Sequence, residues 1–235
     1  MRLDQFLVTR GDYPSRARAQ SAIKAGLVSV GGRVAKKASV AVPDGARVEA
    51  RPEHPYVSRG GLKLAGAMER FGVSARGRVC LDIGSSTGGF TDVLLRAGAE
   101  RVYAVDVGHG QLHESLRADP RVVSMERQDA REIHAGLFEP LPDLLVCDAS
   151  FVSLTKILSV PLSLTREAVL LVKPQFEVGR ENIGKGGLVR AGTQDALVRV
   201  ADWVRAQGWR VEGLVESAVR GGDGNREWVL HARRR

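Results

Sequence analysis

Residues 79–90 read VCLDIGSSTGGF, and this stretch decides the fold. A short apolar run, VCLDI, ends in a glycine-rich turn that opens a helix. A strand, glycine loop and helix in that order is how open α/β sheets hold nucleotide-like ligands at their carboxyl edge. The spacing from Asp82 is D-x-G-x-x-x-G-G and not G-x-G-x-x-G, so the dinucleotide fingerprint is not met. Gly84 is expected to let the chain turn tightly. Gly88 and Gly89 are expected to admit a ligand closely and to let the helix pack.

Working outward, RVYAVDV (101–107), RVVSMERQD (121–129), DLLVCDAS (143–150) and AVLLVKP (168–174) are further strand candidates, most of them separated by helical stretches. An amphipathic helix, 62–71, precedes the first core strand and another, 193–207, follows the fifth. WRVEGLVES and REWVLHA then supply two closing strands, including an antiparallel edge. Such alternation predicts an α/β fold with a mostly parallel sheet covered on both faces. Asp106 ends the second strand, where an acid can take both hydroxyls of a ribose, and Asp129 ends the third.

The net charge of +8 is unevenly placed. Residues 1–50 hold nine Lys/Arg against four acids, and the remaining 185 hold 26 against 23. A basic excess confined to one small segment is a footprint for a polyanion such as nucleic acid, although charge alone does not separate that from an anionic membrane surface. Leu3, Phe6 and Leu7 form one helical stripe. A second helix starts at the N-cap Ser15 and ends at Gly26. LVSV, a Gly31-Gly32 turn and RVAKKASVAV up to Asp44-Gly45 make a small hairpin region. Pro52 and Pro55 mark a stiff linker. The predicted division is 1–50, a linker at 51–56, and 57–235.

Cys80 and Cys147 both lie in apolar runs and read as buried free thiols, neither a disulfide framework nor a metal site. MRLDQFLVTRGD carries charge where a signal peptide needs an apolar core. No stretch approaches the roughly 20 apolar residues that cross a bilayer. A cytoplasmic monomer with no metal and no membrane partner is expected.

Four polar residues stand in apolar surroundings: Lys63 in SRGGLKLAGA, Asp148 in CDASF, Lys173 in LVKPQFE and Glu227 in GNREWVL. Asp148 and Lys173 should emerge at the carboxyl edge of the sheet. Two lysines and two acids at one crevice read as a site rather than as surface ion pairs. GRENIGKGGLVR (179–190) reads as a flexible basic loop beside Lys173 that closes over a ligand. Arg233, Arg234 and Arg235 read as a solvated tail.

These strings carry resemblances. RLDQFLV and SRARAQSAIKAGLVSVGGRVAKKAS resemble the S4-like RNA-binding domain. That implies contact with structured RNA through Arg2, Arg16, Arg18, Lys24, Arg33, Lys36 and Lys37, with Arg59 added from the second domain. The glycine loop with Asp106 and Asp129 is similar to the Rossmann-like methyltransferases that use S-adenosylmethionine (SAM). In that likeness the cofactor lies on Asp82, Gly84, Ser85, Ser86, Thr87, Gly88, Gly89 and Phe90. It also touches Asp106, Val107, Asp129, Ala130 and Asp148. Asp82 would sit near the methionine amino group and Asp129 near the adenine amino group. Lys63, Asp148, Lys173 and Glu227, in that order, match the catalytic tetrad of FtsJ-like ribose 2′-O-methyltransferases.

YVSRGGLKL, LDIGSSTGGFTDVLL, DVGHGQL, DPRVV, DASFVSL, LVKPQFEVG, GKGGLVR and GNREWVL together resemble the TlyA family, sometimes labelled hemolysin A. The resemblance implies methylation of cytidine 2′-hydroxyls in ribosomal RNA or ribosomal subunits. His109 stands where that family commonly has tyrosine, and is expected to tune SAM packing.

Methyl transfer from a sulfonium is an in-line displacement, so holding the hydroxyl against the methyl supplies much of the rate. The hydroxyl must also lose its proton. A desolvated lysine beside a second cation can be the base, which points to Lys173 with Lys63 as its neighbour. Lys173 could equally stay protonated and stabilise the alkoxide. Two other functions compete. A membrane-active hemolysin needs a spanning or strongly amphipathic segment, and none is found. A non-catalytic RNA-binding assembly factor would not need the intact loop and tetrad.

Overall fold

A computed structural model describes residues 1–13, 15–52 and 54–234. The chain forms two compact units, Met1–Pro55 and a second from Tyr56 onward.

In the first unit, α1 (Leu3–Thr9) and α2 (Arg16–Lys24) pack with β1 (Val28–Val30), β2 (Arg33–Val34) and β3 (Val48–Ala50), which form an antiparallel sheet in the order β2-β1-β3. Ser15 caps α2, its Oγ accepting the Arg18 N–H at 3.3 Å. The helical stripe works as its spacing requires: Leu3 and Leu7 are fully buried against Ala19, Ala22, Ile23 and Val28, while Phe6 covers the edge of that cluster. The residues after β2 do not continue as a strand. They return to the amino terminus, where the Leu3 N–H donates to Val40 O and the Val42 N–H to Met1 O.

The second unit opens with α3 (Gly60–Phe71), β4 (Val79–Ile83), α4 (Gly89–Arg96), β5 (Arg101–Asp106), α5 (Glu114–Arg117) and β6 (Val122–Glu126). It continues with β7 (Leu144–Cys147), α6 (Leu154–Ile157), α7 (Ser159–Leu164), β8 (Glu167–Val172) and α8 (Pro174–Glu177). It closes with α9 (Thr193–Ala206), β9 (Trp209–Glu216) and β10 (Trp228–Arg234). The seven strands are ordered β6-β5-β4-β7-β8-β10-β9. Alternate residues of β4 show why the run is apolar apart from Asp82. Val79, Leu81 and Ile83 pack with Leu158, Leu162, Leu197 and Val204 on one face, and Cys80 packs with Leu64, Phe90 and Leu94 on the other. The order reverses between β4 and β7, where such sheets open a crevice at their carboxyl ends.

The mixed sheet is the one expected, with one change of position. The antiparallel strand is β10, hydrogen-bonded to β8 and β9, and β9 takes the edge. The strands also stop earlier than the apolar runs: β7 ends at Cys147 and β8 at Val172, so Asp148 and Lys173 are the first residues beyond each ladder. Proline at the first position of α8 enforces the second break.

Arg233 and Arg234 are not a solvated tail. Arg233 Nε donates to Glu167 Oε1 at 2.9 Å, and the Arg234 N–H donates to Arg166 O at 2.8 Å. Arg235 lies outside the described residues. Both cysteines are buried and unpaired, and burial pushes each thiol up to about 12.

Candidate active site

Lys173 stands between β8 and α8, 8% exposed. Its Nζ lies 2.7 Å from Asp148 Oδ1 and donates to Ser150 Oγ at 2.7 Å and to Asp148 O at 3.4 Å. Lys63, on α3, brings its Nζ within 2.6 Å of Glu227 Oε2. The β8–β10 ladder pairs Trp228 with Val172, which puts Glu227 and Lys173 on the next rung. The tetrad is therefore two ion pairs at one sheet edge. Burial holds the Glu227 carboxyl above its ordinary range, partly offset by Lys63.

A cavity of about 190 Å³ opens on this cluster. Lys63, Asp148, Ser150 and Lys173 line one side, and Ser85, Thr87, Gly89 and Phe90 line another. Glu227 is not among its lining residues and touches it only through Lys63. Beside it lies a larger cavity of about 540 Å³, lined by Asp106, Val107, Asp129, Ala130 and Phe151 among others. The two share Gly84, Ser86, Asp148 and Ser150. The larger volume is that of an ordinary small-molecule site.

Asp106 Oδ2 accepts the Ser86 N–H at 2.8 Å and its Oδ1 accepts the Gly108 N–H at 2.7 Å. Each oxygen keeps a lone pair for a ligand hydroxyl. Asp129 is taken up by Arg131, whose Nε, Nη2 and backbone N–H all donate to it and hold its carboxyl down to about 2. Two residues of the D-x-G-x-x-x-G-G stretch, one in β4 and one in the loop, lie away from both cavities. Asp82 is wholly buried, its Oδ2 accepting from Thr91 Oγ1 at 2.6 Å, and burial pushes its carboxyl up to about 7. A Cβ on Gly88 would collide with a Leu116 methyl, so this glycine serves packing rather than ligand approach.

Ser150 and Phe151 were not among the residues expected at the site. Both lie within four residues of the end of β7, so the rule that ligands meet strand ends would have found them. Phe151 is 90% exposed at a φ of +66°, a costly conformation for an aromatic residue, and its ring lies 5.3 Å from that of Phe176. His109 lies outside both cavities, its Nδ1 3.2 Å from Glu126 Oε2.

The 179–190 segment forms a small folded loop. Ile183 bridges Val189, and the buried Asn225 accepts the Val189 N–H at 2.9 Å and donates to Gly187 O at 2.9 Å. Of the basic residues singled out in the first unit, Arg18, Lys24, Arg33, Lys36 and Lys37 are exposed, while Arg2 and Arg16 are tied to Asp4. Arg59 precedes α3 in the second unit. Among the described residues no helix is long and apolar enough to cross a membrane, and no group of His, Cys, Asp or Glu is arranged to hold a metal ion.

Residues 56–234 match the FtsJ-like methyltransferase family, and residues 1–48 match the S4 domain. The chain is 45% identical to the 16S/23S rRNA (cytidine-2′-O)-methyltransferase TlyA of Mycobacterium tuberculosis, over 99% of this chain and 89% of that one. It is 39% identical to Hemolysin A of Brachyspira hyodysenteriae, over 98% and 99% of the two. Among solved structures, a putative hemolysin from Streptococcus thermophilus superposes with a TM-score of 0.76 at 40% identity, covering 100% of this chain and 88% of that one. Two lysine–carboxylate pairs at the carboxyl edge of a methyltransferase sheet thus sit in a chain that belongs to the FtsJ-like methyltransferase family, with an S4 domain ahead of it.

Proposed function

We propose that the protein methylates the 2′-hydroxyl of a cytidine ribose in ribosomal RNA, using SAM, and that the S4 unit holds the RNA. The observation that carries this reading is the pair of lysine–carboxylate contacts bordering a small cavity that opens onto a nucleoside-sized one. The larger cavity suits an adenosyl group. Asp106 offers carboxylate lone pairs to ribose hydroxyls, and Val105, Val107, Ala130 and Ile157 give it apolar walls. Bound there, SAM supplies an electrophilic methyl on a sulfonium.

The chain's own residues then have separable tasks. Lys173, as the neutral amine, takes the proton of the attacking hydroxyl and ends as the ammonium that pairs with Asp148, while Ser150 fixes its direction. Lys63 contributes positive charge where the alkoxide develops, and Glu227 fixes its position. Phe151 presents an aromatic face at the cavity rim, a surface on which an unstacked base can rest. Cytidine and ribosomal RNA are the substrates that the names of the relatives support. Tritiated methyl transfer from SAM to isolated ribosomal subunits tests the proposal. Label should enter the RNA with the wild-type chain and be lost with Lys173→Ala, and undiminished transfer by that variant would refute the role given to Lys173.

A further inference from the structure

Among the described residues Asp4 is the one acid of the basic unit with no exposed surface, and the tetrad makes no use of it. Its carboxylate is surrounded by donors. Arg2 Nε donates to Oδ1 at 3.1 Å and Arg2 Nη2 to Oδ2 at 3.2 Å. Arg16 Nη2 and Nε reach the same Oδ2 at 3.0 and 3.4 Å, and Gln20 Nε2 reaches it at 2.8 Å. The Gln5 N–H completes the set at 3.1 Å on Oδ1. These bonds hold the Asp4 carboxyl well below the usual carboxylate range.

Each arginine spends one edge of its guanidinium, Nε with Nη2, on Asp4. Among the described residues neither Nη1 makes a hydrogen bond, and the two side chains remain about half exposed, at 46% and 52%. Two guanidiniums that touch one oxygen would repel each other without the anion between them. With it, they form a rigid pair of net charge +1, and each turns an unused edge outward. A planar guanidinium fixed in this way matches a phosphate without first losing the rotamer freedom of a long side chain.

We propose that Asp4 is a positioning residue that pre-assembles Arg2 and Arg16 into a phosphate clamp for the RNA backbone. The inference rests on the reading that the S4 unit binds RNA. It adds that a buried negative charge strengthens binding to a polyanion, where bulk electrostatics predicts the opposite.

The sign of one substitution separates the two. Asp4→Asn makes the surface more positive, so if charge alone governed binding, the full-length variant would hold purified bacterial ribosomal RNA more tightly. A clamp loses its geometry instead. Filter binding across a range of salt should show about tenfold weaker binding and a shallower salt dependence, by up to about one phosphate contact. In methyl transfer the loss should fall on KM for the RNA rather than on kcat.

The double change Arg2→Lys with Arg16→Lys keeps every charge and removes only the forks. It is expected to weaken binding to a similar degree, and it decides the matter if Asp4→Asn unfolds the unit. Wild-type binding with equal or tighter binding by Asp4→Asn, or full binding by the lysine pair, overturns the clamp and leaves the RNA reading standing. A wild-type chain that binds no RNA overturns both.

Discussion

Replacing Gly84 with alanine should damage the protein far more than its size implies, and the structure says by how much. Gly84 has a φ of +79°, a left-handed conformation that costs an L-residue roughly 1–2 kcal/mol. Its added Cβ would lie 2.9 Å from Ala149 Cα, 3.0 Å from Ala149 N and 3.1 Å from the carbonyl carbon of Asp148. All three are backbone atoms, so no side chain can swing aside. The β4 loop and the segment after β7 would have to separate, at a further cost of about 1–3 kcal/mol by analogy with overpacked cores.

Together these give about 2–5 kcal/mol, or a fall in melting temperature of roughly 5–15 °C for a unit of this size. Gly77→Ala is the matched control. Its φ is +67°, yet nothing lies within 4 Å of its Cβ position. It carries the strain without the clash, and the unfolded-state effect of removing a glycine cancels in the comparison. Thermal melts of both variants, with methyl transfer measured on the survivors, should show Gly84→Ala losing several degrees more than Gly77→Ala. Activity should fall too, because Asp148 rides on the displaced segment. Equal losses in the two variants would refute the argument that the β4 and β7 ends are in obligatory contact.

Three further outcomes are expected. Lys173→Met, which keeps the volume and removes the amine, should lower kcat by about 10²–10⁴ while calorimetry still detects SAM binding; a variant within threefold of wild type would exclude Lys173 from the proton transfer. Asp82 titrates near 7 when folded against 3.8 ordinarily, so the folded state binds the extra proton between those values and its stability falls as pH rises across them. Urea unfolding at intervals from pH 4 to 7 should show this slope flattened in Asp82→Asn, and parallel curves would show that burial does not govern the group. Phe151→Gly relieves a strained φ and should leave the melting temperature within about 2 °C or raise it, yet increase KM for RNA. A variant with unaltered KM would remove Phe151 from RNA contact.

The amino-acid sequence made the main architecture readable because its strongest signals are local. VCLDI is short, apolar and followed by glycines, and a strand buried on both faces requires that pattern. Lys63, Asp148, Lys173 and Glu227 stood out because charge in apolar runs is costly unless something compensates it. What remained hidden depends on atoms distant in sequence. That β10 inserts between β8 and β9 is a matter of pairing, which neither strand's pattern encodes. Gly88 in the ligand loop and Asp82 in the strand before it both face the protein, because Leu116 and Thr91 occupy the space beside them. Arg2 and Arg16 read only as separate RNA contacts, because their shared partner, Asp4, reads as an ordinary acid in the first turn of a helix. The carboxy-terminal arginines looked like a tail because Glu167, which accepts from Arg233, lies 66 residues away.

The position that receives the methyl group is the most direct test of the site. Ribosomal subunits from cells lacking the modification, incubated with the protein and labelled SAM and then digested to nucleosides, should yield 2′-O-methylcytidine with the wild-type chain and none with Lys173→Ala. Label on a base nitrogen or carbon, or label that persists without Lys173, would contradict the role given to the site.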